Sequence, residues 1–264
     1  MIQKMSDDQV EKKEDGIIRV LIGIPHEGMT GSEAYCDRLS MFKHLGHLEE
    51  RGKLNKEKER FEFYQYTIGR MHVHVAREEM AKHAIAIGCD YLFMVDDDMI
   101  APFDLFERLY ANKKDICAPL AFTRNYPHKP VMYSCIDGWD SVRQKEYFVN
   151  HPVMNYPKDR LVECDAVGFG AVLISVDALK AVPEPRFKSP CGTGEDIYFC
   201  YQAKKKGIRT FMDTRIKLGH ISHPLIVTEE YVDELRKRDN SEIEKRHGVY
   251  AKYDPKEPVL ALGE

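Results

Sequence analysis

The sequence predicts an α/β fold built on a doubly wound, mostly parallel, Rossmann-like sheet. Three observations predict it. Short apolar runs rich in β-branched residues alternate with helical stretches. The clearest run, Tyr91 to Val95, leads straight into Asp96, Asp97 and Asp98, where such sheets bind ligands, beyond the carboxyl ends of the strands. The 264 residues, 43% of them hydrophobic, suffice for one α/β domain with extra loops.

The elements follow in order. Residues 1–16 alternate acidic and basic side chains and read as a solvated tail. IIRVLIGIP, ending at Pro25, is a buried strand. A loop, HEGMTGSE, precedes a helix from Ser32 to about Glu50, and RGKLNKEKER is a charged surface connection. Phe61 to Gly69 is a second strand, and Val75 to Gly88 an amphipathic helix stopped by glycine. After the third strand at Tyr91–Val95, a helix is expected over 103–112 and a strand over 115–122. Residues 123–160 mix Pro, Tyr and His with short strand-like pieces such as PVMYSCI, and read as a lid or acceptor-facing insertion. CDAVGFGAVLISV is a strand carrying two glycines, and Glu195 to Lys206 a helix with Gly207 behind it. The charged stretch 229–247 is helical, within an extension spanning 226–264. Its mixed charges suit covering the core, pairing two copies as a homodimer, or facing an acceptor.

Composition narrows the function. The net charge of −4 and pI near 6.3 lack the basic surplus of chains that wrap nucleic acid. The seven cysteines include no CxxC pair, which argues against a zinc site of that spacing and for reduced thiols in a cytoplasmic protein. The amino-terminal stretch has no apolar signal-like run. The longest apolar-rich stretch, Ala166 to Val176, is too short to span a bilayer.

Three constellations carry chemistry. Adjacent carboxylates at Asp96–Asp98 repel one another, and a divalent cation relieves this; carboxylate oxygens suit Mg2+ or Mn2+, which commonly bridge to substrate phosphates. The plainer alternative is a solvated turn or helix cap. GTGEDIYFC opens a helix with Glu195 and Asp196. These acids either complement the helix dipole or supply a general base. LGHISHP offers His220 and His223, as a cation ligand or as loop hydrogen-bonding groups.

Taken together, VAREEMAKHAIAIGCDYLFMVDDDM, CDAVGFGAVLIS, GTGEDIYFC and LGH resemble the nucleotide-sugar glycosyltransferases of the A-type fold, family 2 in particular, over residues 18–220. The resemblance implies that residues 17–225 form the catalytic domain. It implies that Asp96 and Asp98 bind metal, with Asp96 also near the ribose and Asp97 supporting either, and that Arg77 and Pro25 lie near the nucleotide. It implies that Gly168 and Gly170 pass close to the donor sugar, that Asp196 is the base of an inverting displacement with Glu195 beside it, and that His220 is a third metal ligand. A UDP-sugar is the favoured donor. There are departures. IGIPHEG keeps Pro25 but lacks the Thr, Tyr and Asn of the family stretch, Glu78 stands where Asn is common, and no Q-x-x-R-W element is present. Arg124 and Lys129 in AFTRNYPHKP could hold a diphosphate, although a solvated loop charge is the simpler expectation. The rival activities are a nucleotidyltransferase acting on a sugar phosphate and a non-catalytic relative that binds a nucleotide sugar.

Overall fold

Continuous apolar runs, which bury both faces of their strands, decide the architecture. In the computed structural model, residues 16–26, 31–55, 59–140, 145–190, 193–222 and 225–237 are described. The run expected at Ile17–Pro25 forms β1 (Ile17–His26), followed by α1 (Ser32–Asn55), β2 (Arg60–Gly69), α2 (Val73–Ala86) and β3 (Tyr91–Val95). α1 runs past the expected end near Glu50, through Gly52 in spite of its low helix propensity, with an i,i+4 pair between Glu49 and Lys53. α2 stops at Gly88, where φ is +74°, as the helix that opens at Glu195 does at Gly207, where φ is +79°.

Next come β4 (Met99–Ile100), α3 (Leu105–Tyr110) and β5 (Ile116–Leu120), the last two shorter than expected. The middle segment contains a hairpin, β6 (Met132–Asp140) with β7 (Lys145–Pro152). β8 (Leu161–Cys164) ends where the strand expected over CDAVGFGAVLISV begins, and that strand is two pieces in different sheets, β9 (Ala166–Val167) and β10 (Ala171–Ser175). The chain breaks at Gly168–Gly170, where a side chain would collide: a Cβ on Gly168 would lie 2.7 Å from Val131 Cβ. α4 (Val176–Ala181), α5 (Glu195–Lys205), β11 (Thr210–Lys217), β12 (Gly219–Ser222) and β13 (Leu225–Val227) complete the chain order.

The main sheet has the strand order β2-β1-β3-β10-β5-β11-β8. β10 and β8 run antiparallel to their neighbours and the remaining pairs are parallel. Successive β1 residues feed opposite cores. Val20 and Ile22 pack with Met41 and Leu45 of α1 and Phe106 of α3, while Leu21 packs with Met80 and Ala84 of α2, Leu179 of α4 and Phe199 of α5. Helices therefore cover both faces.

Two small sheets complete the fold. β7-β6-β9 anchors the hairpin. β13-β12-β4 pairs His220 with Met99, immediately after the three aspartates. β13 straddles the boundary expected at 225/226, and the charged helix follows it over 229–237. This segment belongs to the core, with Val227 and Val232 buried. Residues 238–247 of the expected helix lie outside the described residues. No helix among the described residues is long and apolar enough to cross a membrane. The six described cysteines are free, and burial pushes the Cys89, Cys117 and Cys200 thiols up to about 12, which leaves them poor nucleophiles.

Glu229 fixes the carboxy-terminal helix. It is buried, accepts from Tyr156 Oη at 2.8 Å, and pairs with Lys217 at 2.6 Å. Burial opposes its charge, but Lys217 and Tyr156 outweigh that and hold its pKa below the ordinary value. Its contribution to stability is therefore full above the unfolded glutamate value of about 4.3 and lost as pH falls through the lower folded value. An E229Q variant should be less stable at pH 7 by about 1–3 kcal/mol in urea unfolding. That gap to wild type should close progressively below pH 4.

Candidate active site

Four segments meet beyond the carboxyl end of β3. Arg38 of α1 secures that end, donating from Nη1 to Val95 O at 3.1 Å and from Nη2 to Asp96 O at 2.7 Å. The Asp96 N–H donates to Gly170 O at 2.8 Å, tying β3 to the start of β10. The Ile221 N–H donates to Asp98 O at 3.0 Å, tying the aspartates to β12. The first turn of α5 brings Glu195 and Asp196. The result is a cavity of about 350 Å³. Arg77, Asp96, Asp98, Gly168, Gly170, Glu195, Asp196 and His220 all line it. Pro25, buried opposite Ile68 near the end of β1, and Asp97 do not. His223 lies outside the described residues.

Arg77 is 3% exposed and sits at the centre of the cluster. Its Nη1 donates to Glu195, and its Nη2 reaches both Asp96 oxygens at 2.9 Å and Phe169 O at 3.1 Å. Burial works against the charge on Arg77, but Asp96 and Glu195 outweigh it and raise its pKa. For Asp96 the balance is opposite: burial raises its pKa despite Arg77. Two of the expected chemical residues, Asp96 and Glu195, are thus engaged by a buried cation.

The geometry sorts the expected ligand set of Asp96, Asp98 and His220. Both Asp96 oxygens face Arg77. Asp98 and His220 do converge: His220 Nε2 lies 3.2 Å from Asp98 Oδ2, while Nδ1 lies 2.7 Å from Phe122 O. Burial, with Arg124 nearby, lowers the His220 pKa and favours the neutral ring. Because a carbonyl can only accept, the neutral ring carries its proton on Nδ1. Nε2 then presents a lone pair to a carboxylate oxygen, an arrangement that calls for a positive charge between or beside them. A carboxylate and a neutral imidazole, with phosphate and water completing the shell, fit a cation of the Mg2+ or Mn2+ kind.

Asp196 faces the same cavity. Its Oδ2 accepts from the Phe169 N–H at 3.3 Å and its Oδ1 from its own Ile197 N–H at 2.7 Å. Burial and then Glu195 raise its pKa, against Arg77 and these two backbone donors. Tyr133, pushed up to about 12 by burial and then by Asp196, stays a phenol. The Gly170 Cβ position would meet only the flexible end of Met99, 2.5 Å away, whereas Gly168 faces the β-branched Val131. Packing thus requires a glycine at 168, whereas at 170 the end of Met99 can give way.

Sequence reasoning underrated Arg124, whose Nη2 donates to Asp98 Oδ2. The signal was topological: Arg124 follows β5, whose carboxyl end lies on the same side of the sheet as that of β3. Arg38 left no signal, being one arginine in a long polar helix. Glu78, noted only as a departure from the family pattern, forms a buried pair with Arg186 at 2.7 Å and also accepts from the Arg186 and Phe187 N–H groups at 2.6 and 3.2 Å.

No known family profile matches the chain, and neither does any curated protein. Among solved structures, A197 from STIV matches at 18% identity over 81% of this chain and 92% of its own, with a TM-score of 0.50. GalNAc-T7 with UDP, GalNAc and Mn2+ matches at 15% identity over 77% of this chain and 43% of that one, TM-score 0.46. UDP-glucose pyrophosphorylase complexed with UDP-glucose matches at 9% identity over 87% and 100%, TM-score 0.39. At these identities the likeness to A197 concerns the fold alone.

The buried cluster predicts a specific pattern of stability. R77A leaves Asp96 and Glu195 buried without their cation and should cost about 3–5 kcal/mol in urea unfolding. Adding D96N and E195Q to R77A should recover part of that loss, because the uncompensated charge is what destabilises.

Proposed function

We propose that this chain is a metal-dependent glycosyltransferase that moves a sugar from a nucleoside-diphosphate sugar, with UDP favoured, to an acceptor hydroxyl with inversion. The observation that carries the reading is the convergence of Asp98 and the neutral His220 on one point of the cavity that Asp196 also lines.

Asp98 and His220 would hold Mg2+ or Mn2+. When bound, the cation would neutralise charge developing on the departing phosphate oxygen. Asp96, held by Arg77, gives the site a fixed rear wall and lies toward the ribose in the resemblance. Asp196 accepts the proton of the acceptor hydroxyl through Oδ2 as the oxygen attacks the anomeric carbon. Its backbone donors fix the carboxylate in place, and its raised pKa makes it a stronger base than an ordinary aspartate. A single displacement of this kind inverts the anomeric centre.

Melting curves with UDP, GDP, CDP or dTDP, each with and without Mn2+, test the first half of the reading. One nucleotide should stabilise only with metal, and D98A should abolish the effect. If no nucleotide stabilises under any condition, the reading falls. With a turnover assay in hand, release of a nucleoside diphosphate supports transfer, and release of pyrophosphate points to a nucleotidyltransferase instead.

Asp196 yields a further expectation. D196N should lower kcat by about 10²–10⁴-fold while keeping the wild-type melting curve. A base works only when deprotonated, so the wild-type rate should rise with pH through a value above the ordinary aspartate figure of about 3.9. That acidic limb should vanish in D196N.

A further inference from the structure

We infer that Arg124 couples cation binding to phosphate binding: its guanidinium holds Asp98 in the free protein and moves to the phosphates of a nucleoside diphosphate when a divalent cation takes its place. This rests on the glycosyltransferase reading of the cavity and assigns Arg124 a role that reading does not contain.

The geometry carries the inference. Arg124 Nη2 and His220 Nε2 meet the same oxygen, Asp98 Oδ2. A guanidinium and a divalent cation cannot both occupy that oxygen without strong like-charge repulsion. One must leave, and the arginine is built to do so. Its backbone is pinned while its side chain is not. Phe122 O, two residues earlier, takes the His220 Nδ1 proton at 2.7 Å. Arg124 O accepts from Ser222 Oγ at 3.2 Å. Between them, the Thr123 N–H donates to Lys129 O at 2.8 Å and Thr123 Oγ1 accepts from the Lys129 N–H at 2.9 Å. The Arg124 side chain is 53% exposed. A fixed pivot with a free arm lets the guanidinium sweep across the cavity mouth without disturbing the fold.

Among the described residues the cavity holds no equivalent donor. Of the two arginines that line it, Arg77 is buried and committed to Asp96, Glu195 and Phe169. Arg124 keeps a planar fork of donors suited to bidentate contact with phosphate. With phosphate present, the displaced arm gains a partner and the cation loses a competitor. The two ligands therefore bind with positive coupling, and by linkage each strengthens the other by the same factor.

Titrations with Mn2+ alone, UDP alone and the two together, followed by calorimetry and by the spin-resonance signal of free Mn2+, test this on wild type, R124A and D98A. R124A should bind Mn2+ alone several-fold tighter than wild type. It should bind UDP in saturating Mn2+ about tenfold or more weaker. The factor by which UDP tightens Mn2+, expected within about 5–150-fold in wild type, should fall in R124A to the part that the phosphates contribute by completing the cation's shell. Unchanged Mn2+ affinity and unchanged coupling in R124A overturn the inference. If D98A abolishes Mn2+ binding in that case, the reading of the site survives without it. If wild type takes up no Mn2+ with or without UDP, both fall together.

Discussion

A guanidinium buried where a strand end, a helix start and a glycine-bearing turn come together sets the terms for everything around it. Arg77 spans Asp96 at the end of β3, Glu195 at the start of α5 and the carbonyl of Phe169 between β9 and β10. Without that charge, two desolvated carboxylates would face one another, and the segments that carry them would have to part or let water in. With it, the carboxylates of the site are sorted. Asp96 and Glu195 turn inward and are neutralised by the protein itself. Asp98 and Asp196 line the same cavity without a bond to Arg77, one sharing an oxygen between a histidine and an arginine, the other resting on backbone amides. One side chain of α2 thus separates scaffold from chemistry.

A second buried pair repeats the device further along the same helix. Glu78 gathers Arg186 and the Phe187 amide, fastening the segment between α4 and α5 to α2. Adjacent residues of α2 therefore hold both approaches to α5. A family pattern that carries Asn at position 78 would need another way to secure this segment.

The main strands and helices were legible because each is a local statement. β3 sits on YLFMV as expected, and α5 starts at the expected Glu195, since burial of apolar runs and helix stop signals depend on neighbours in sequence. The break at Gly168–Gly170 was not legible, because what forbids a continuous strand is Val131, nearly forty residues away. β4 escaped notice at two residues long, yet its pairing with β12 is what brings His220 to Asp98. The convergence of Arg77, Asp98, Asp196 and His220 followed from motif order. The split between engaged and available carboxylates did not, because it depends on where one arginine points, and side-chain direction leaves no trace in spacing.

The position of β10 has a consequence for how the molecule comes into being. This strand, residues 171–175, lies between β3 at 91–95 and β5 at 116–120. As the chain emerges from the ribosome, β1, β2 and β3 can associate early, but the inner edges of β3 and β5 lack their partner until some fifty residues after β5 have been made. Unpaired edges of this kind are templates for association with other chains. The sheet is closed from its middle by a late strand, and the Gly170 carbonyl that receives the Asp96 amide arrives with it. A nascent chain halted before residue 170 would have all three aspartates and no cavity to put them in.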